Sequence, residues 1–228
     1  MEVLSVVFDL APAALLLDLD GTLLDSTAAV EAAWLRLAAR RGVAEAVVRP
    51  LMHGVPARQV LGEILPEVVG PEREELAEEV LADMARADAP VSWLPGAREL
   101  VDALDGRPWA VVTSGNRLLA TSSMRKAGMT RPPVMITSDD VTVGKPDPEP
   151  YLRAAALLGV DAADCLVIED APAGIAAGRA AGATVLAVEH TYPATELAAA
   201  TYVEPRLPII GRDPVTGGLR VSAVGSAP

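Results

Sequence analysis

A chain of 228 residues, 51% of them hydrophobic, can bury one large core or a core carrying a smaller inserted domain, which excludes a disordered chain. Its 31 acidic against 19 basic residues give a net charge of −12, which argues against nucleic acid or an anionic membrane as the main partner. A single cysteine, Cys165, excludes a disulfide framework, so a reducing, cytoplasmic setting is expected.

The N-terminal apolar stretch does not fit a secretory leader, because Glu2 stands where a basic residue belongs and the first Lys or Arg is Arg36. No apolar run approaches the roughly 18 residues of a membrane span. Phe8-Asp9-Leu10 imitates a functional strand end, but Ala11-Pro12 follows with no second acid or glycine, so it reads as a decoy. The run 13–17 predicts a buried strand, and Asp18-Leu19-Asp20-Gly21-Thr22 leaves its end. Gly21 can break the alternation of side chains and let Asp18 and Asp20 converge on one pocket. Asp and Gly are also common turn residues, so the pattern alone leaves both readings open.

Ser26 can cap a helix over 27–41, which places Val30, Ala33, Trp34 and Leu37 on one face before Gly42 ends it. Helical periodicity continues over 57–65 and 72–87, with no β-branched run until after Trp93, so 28–91 reads as an all-helical insertion. Beyond it, strands at 109–113, 134–137, 165–168 and 184–188 alternate with helices at 98–104, 117–127, 149–158 and 173–181. That alternation predicts an α/β, doubly wound parallel sheet, with 1–27 and 92–204 forming its core. The last segment, 205–228, holds four prolines and four glycines and is expected to be weakly ordered or edge-packed.

Three more polar clusters follow predicted strands. Thr113-Ser114-Gly115-Asn116 precedes a helix, where hydroxyls and backbone N–H groups suit a phosphoryl oxygen or an ordinary helix cap. Gly144-Lys145-Pro146-Asp147-Pro148 fixes one of only two lysines in the chain; its compact charge suits a transferring phosphoryl group, or it is a solvated loop lysine. Glu169-Asp170 would repel each other unless a hard cation sits nearby, although such a pair can also begin a helix. Cys165, at the head of the same strand, reads as a small buried apolar residue.

Together, in this order and each at a strand end, Asp18 to Thr22, Thr113-Ser114-Gly115, Lys145-Pro146 and Glu169-Asp170 resemble the four motifs of the haloacid dehalogenase-like phosphohydrolase superfamily over about residues 14–203. His53-Gly54, Asp140-Val141, the stretch from Gly144 to Leu152 and the stretch from Glu169 to Ile175 are similar to its glycerol-phosphate and 2-deoxyhexose-phosphate phosphatase branch. The β-phosphoglucomutase group shares much of that core.

The resemblance implies a Rossmann-like core with a helical cap, and a Mg²⁺-dependent phosphatase acting on small sugar or polyol phosphates. Asp18 would be the nucleophile and Asp20 the acid and base. Mg²⁺ would sit on the Asp18 carboxylate, the Asp20 carbonyl and Asp170, with Glu169 reaching it through water. Thr113, Ser114, Gly115, Asn116 and Lys145 would hold the phosphoryl oxygens, and Asp25 would support the loop or cap hinge. An acid at Asp20 favours a phosphoryl substrate over a haloacid. The absence of lysine from 28–91 disfavours phosphonate cleavage, whose branch uses a cap lysine.

His53 and Arg58 are the cap candidates for the leaving group, with a surface histidine and an Arg58–Glu63 pair as the plainer alternatives. Trp34, Met52 and Met84 read as core packing rather than ligand contacts. A phosphomutase and a noncatalytic module on the same fold are the competing readings. The expected partner is a small phosphorylated metabolite, and the expected state a monomer or weak homodimer.

Overall fold

In the computed structural model, residues 8–52 and 55–223 are described. Strand order explains why the functional clusters meet. Six parallel strands form the main sheet: β2 (Ala14–Leu17), β5 (Trp109–Val112), β6 (Val134–Ile136), β7 (Cys165–Glu169), β8 (Thr184–Val188) and β9 (Tyr202–Glu204), arranged β6-β5-β2-β7-β8-β9. With β2 between β5 and β7, the chain after Leu17 emerges beside the chain after Val112 on one side and after Glu169 on the other. This is the carboxyl edge at which open α/β sheets place ligands.

Alternation along the strands builds two apolar layers, as expected for a sheet covered on both faces. Leu15, Leu17, Val111, Leu166 and Ile168 face one layer, whereas Ala14, Leu16, Ala110, Val167 and Val185 face the other. The helices α5 (Ala97–Asp102), α6 (Arg117–Ala127), α7 (Glu149–Leu158) and α8 (Pro172–Ala180) flank the sheet within about two residues of their sequence-based bounds.

Two short strands, β3 (Leu24–Asp25) and β4 (Ser92–Trp93), pair antiparallel at the neck where the chain leaves and re-enters the core. Between them lie α1 (Thr27–Arg41), α2 (Glu45–Val48), α3 (Ala57–Ile64) and α4 (Pro71–Arg86). They bury a separate core around Trp34, Leu37, Val60, Leu61 and Val80. Helix α4 is also tied to α6, since Ser122 donates to the Ala85 carbonyl at 2.7 Å and Lys126 to that of Ala87 at 2.7 Å. No helix among the described residues is long and apolar enough to cross a membrane.

Two features depart from the expected elements. The sheet gains a sixth strand, β9, too short to show a period. In the C-terminal segment, β10 (Ile209–Arg212) and β11 (Leu219–Ser222) form an antiparallel sheet with β1 (Asp9–Leu10), and Leu219, Val221 and Ala223 join the main core. Asp9 accepts from the Arg220 guanidinium, away from the reaction cavity described below, as a decoy would.

Candidate active site

Asp18 follows β2 directly, and its N–H donates to the Ile168 carbonyl at 3.0 Å, extending the parallel ladder by one residue. The turn then depends on Gly21. Its φ of +91° suits glycine, and a Cβ there would overlap Asp170 Oδ2. Asp20 is held from the far side of this turn, with Ser26 Oγ donating to its Oδ1 at 2.6 Å. Ser26 therefore does not cap α1 with its side chain; Asp25 does the local work by accepting from the Thr27 N–H at 3.0 Å.

Lys145 is 5% exposed, and all three of its ammonium donors are used. They reach Asp18 Oδ1 at 2.7 Å, Glu169 Oε1 at 2.6 Å and the Val112 carbonyl at 2.8 Å. Burial disfavours its charge, but the carboxylates of Asp18 and Glu169 outweigh burial and hold its pKa well above the usual lysine value. Among the described residues, no hydrogen bond reaches Oδ2 of Asp18, so lysine orients one oxygen and leaves the other available.

Glu169 is more fully committed than a metal ligand would be. Its Oε1 accepts from Lys145 and from the Tyr151 hydroxyl at 2.8 Å, while Oε2 accepts from the N–H groups of Asp170 at 3.0 Å and Ala171 at 3.2 Å. These four donors fill the roughly four lone-pair sites of a carboxylate. A Cβ on Gly174 would overlap this group, so α8 can approach it only with glycine at that position. Glu169 thus anchors Lys145, an arrangement the bare Glu-Asp pair did not reveal.

Asp170 differs. Thr22 Oγ1 donates to its Oδ1 at 3.2 Å, but its buried Oδ2 has no partner among the described residues. One carboxylate oxygen each of Asp18, Glu169 and Asp170 lies within 4.8 Å of the other two, and together they face one ammonium in a buried space. Burial, followed by the charge of Glu169, pushes the Asp170 carboxyl up to about 7. Burial also raises Asp18, with Glu169 and Asp170 adding to the effect against Lys145. An orphaned carboxylate oxygen amid excess negative charge fits a hard divalent cation.

Asp20 is raised by burial too, with Ser26 and Lys145 opposing. Burial thus raises both acids of the first cluster, and they differ in partner: Asp18 accepts from the Lys145 ammonium, Asp20 from the Ser26 hydroxyl.

These groups line a cavity of about 110 Å³ that also includes Thr113, Ser114 and Gly115. Thr113 is turned inward, accepting from the Gly115 N–H at 3.0 Å, while Ser114 is exposed at the mouth. Asn116 does not line this cavity. Its Oδ1 accepts from the Leu119 N–H at 2.9 Å, capping α6, and its Nδ2 donates to Glu78 of α4 at 2.9 Å. The phosphate-contact reading of Asn116 gives way to a cap and a bridge between layers.

The roof is apolar: Val30, Trp34, Met52, Val55, Leu81 and Met84 line the cavity from α1 to α4. Trp34, Met52 and Met84 do pack the helical core as expected, yet they also face this cavity. His53 lies outside the described residues. Arg58 lies beside the reaction cavity and pairs with Glu74 at 3.3 Å, rather than with Glu63. Cys165 is buried, and burial pushes its thiol to about 11, so it has no nucleophilic character.

The family profile for haloacid dehalogenase-like hydrolases matches residues 12–182. Hexitol phosphatase A of Escherichia coli is 40% identical, over 76% of this chain and 81% of its own. A 2-deoxyglucose-6-phosphate phosphatase of Saccharomyces cerevisiae is 35% identical, over 82% and 85%. A hydrolase structure from Pseudomonas syringae superposes with a TM-score of 0.75 at 31% identity, covering 84% of this chain and 93% of that one. The chain belongs to the haloacid dehalogenase-like hydrolases. It is an enzyme of the phosphoric monoester hydrolase class.

Proposed function

We propose that this enzyme is a Mg²⁺-dependent phosphatase of small sugar or polyol monophosphates, working through an aspartyl phosphate at Asp18. The observation that carries the reading is the difference in partner between the two acids, Asp18 held by the Lys145 ammonium and Asp20 by the Ser26 hydroxyl, beside the orphaned oxygen of Asp170. Relatives named for hexitol, 2-deoxyglucose 6-phosphate and glycerol 1-phosphate support the substrate class. Its setting is the cytoplasm, which the unbridged Cys165 suits.

Asp18 and Asp170, with the Asp20 carbonyl, would hold the cation, which when bound offsets the negative charge of the phosphoryl oxygens and carboxylates. Asp18 Oδ2 attacks phosphorus; a new O–P bond forms as the bond to the leaving oxygen breaks, and Asp20 gives that oxygen its proton. Asp20, now ionised, takes a proton from water. The water oxygen attacks the same phosphorus, phosphate departs and the Asp18 carboxylate is restored. Ser114 and the N–H groups around Gly115 hold phosphoryl oxygens, Lys145 fixes Asp18, and Glu169 with Tyr151 fixes Lys145. The apolar roof keeps bulk water from the reacting centre.

The test is phosphate release from hexitol, deoxyhexose, glycerol and nucleoside monophosphates, with Mg²⁺ or with chelator. Polyol and hexose esters should lead the profile, and chelation should abolish release. Dominance of nucleoside monophosphates, or release indifferent to chelation, would contradict the proposal.

A further inference from the structure

A second cavity, of about 310 Å³, opens beside the reaction cavity and shares Pro56, Ala57, Leu81, Thr113, Ser114 and Lys145 with it. Its size suits a small ligand. A substrate whose phosphorus lies at Asp18 has this space ahead for the rest of its body. The polar side chains around it are Arg58, Gln59, Glu74, Glu78, Ser138 and Thr142.

Once Lys145 is assigned to Asp18 and Glu169, the charges left there are Glu74 and Glu78 against Arg58. Glu74 and Glu78 stand one turn apart on α4, so both fall on the same helix face. Arg58 is already paired with Glu74 at 3.3 Å, and Asn116, a neutral donor, holds Glu78 at 2.9 Å. Lys145 borders the space, but its three donors are spent on Asp18, Glu169 and Val112. Among the described residues, no uncommitted cation lines either cavity.

Resting on the phosphatase reading above, we propose that this cavity receives the leaving group and that its Glu74–Glu78 wall selects neutral polyhydroxy monophosphates by repelling a second anionic group. Gln59, Ser138 and Thr142 offer neutral hydrogen-bonding partners for hydroxyls. A carboxylate or second phosphate entering there would meet two carboxylates and could gain Arg58 only by drawing it from Glu74. The same wall disfavours a sugar bisphosphate, the species a phosphomutase must hold.

The discriminating pair is a hexitol 6-phosphate and the hexonate 6-phosphate of the same carbon count, which differ only in the terminal CH₂OH or carboxylate. Native enzyme should favour the hexitol ester in kcat/KM by about tenfold or more at low salt, with the preference shrinking as salt screens the exposed carboxylates. The double variant Glu74→Gln, Glu78→Gln retains the acceptor for Asn116 and should lower the ratio at least about fivefold. Equal rates on both esters by native enzyme, or a ratio unmoved by both salt and the double variant, would overturn the proposal. No release from either ester, with native chain and Asp18→Asn indistinguishable, would instead overturn the phosphatase reading and this inference with it.

Discussion

Replacing Asp18 by Asn should lower kcat on a hexitol phosphate by about four orders of magnitude or more, the scale of losing a covalent nucleophile. The amide has nearly the same shape and can still accept from Lys145 through its oxygen, and Glu169 still balances the buried ammonium. The variant should therefore fold, with circular dichroism and thermal unfolding close to native. A residual rate within tenfold of native would remove Asp18 from the chemistry.

The second large effect concerns the cation and pH. The Asp170 carboxyl is raised from 3.8 to about 7 in the fold, so its contribution to stability is fully present below pH 3.8 and is lost as pH climbs through about 7. Asp18 and Asp20 are raised in the same direction. Asp9, Asp140, Glu149 and Asp213, which do not line the cavity, are lowered, so their pH dependence lies below this window.

In chelator, the protein should lose stability between pH 5 and 8, on the order of 2 to 3 kcal/mol at most from Asp170. Mg²⁺ competes with those protons for the same carboxylates, so it should raise the Tm more at pH 8 than at pH 5. Calorimetry at both pH values, with and without Mg²⁺, checks the sign. An equal Mg²⁺ shift at both, persisting in Asp170→Asn, would place the cation elsewhere.

The strand ends were legible because each apolar run stops at a polar cluster, and five of the six parallel strands could be read this way. Tyr202–Glu204 is three residues long and carries no such signal. The pairing of Asp9–Leu10 with Leu219–Ser222 was hidden for another reason: the partners lie at opposite ends of the chain, and prolines and glycines obscure the alternation of Leu219 and Val221.

The site was legible in residue type more than in partnership. Asp18, Lys145 and Asp170 converge as the motifs suggested. Asn116 did not, because an Asn at a strand-to-helix junction serves equally as a cap, and only the approach of α4 decides the matter. Glu169 and Asp170 look alike in sequence, yet the side-chain partners of Glu169 come from Lys145 and Tyr151, on another part of the chain. Capping of the following helix is the local option for Ser26, whereas its hydroxyl turns to Asp20, six residues back. In each case the missing information was a contact that no spacing encodes.

The central claim is that phosphate passes through Asp18 while Asp20 moves the protons, and Asp20→Asn with 4-nitrophenyl phosphate tests it most directly. This leaving group needs no proton, so the first step should proceed, while hydrolysis of the intermediate lacks its base. Rapid mixing should give a burst of about one nitrophenolate per active site followed by slow turnover, and borohydride trapping should convert Asp18 to homoserine. A linear trace with no burst and an unmodified Asp18 would contradict the account.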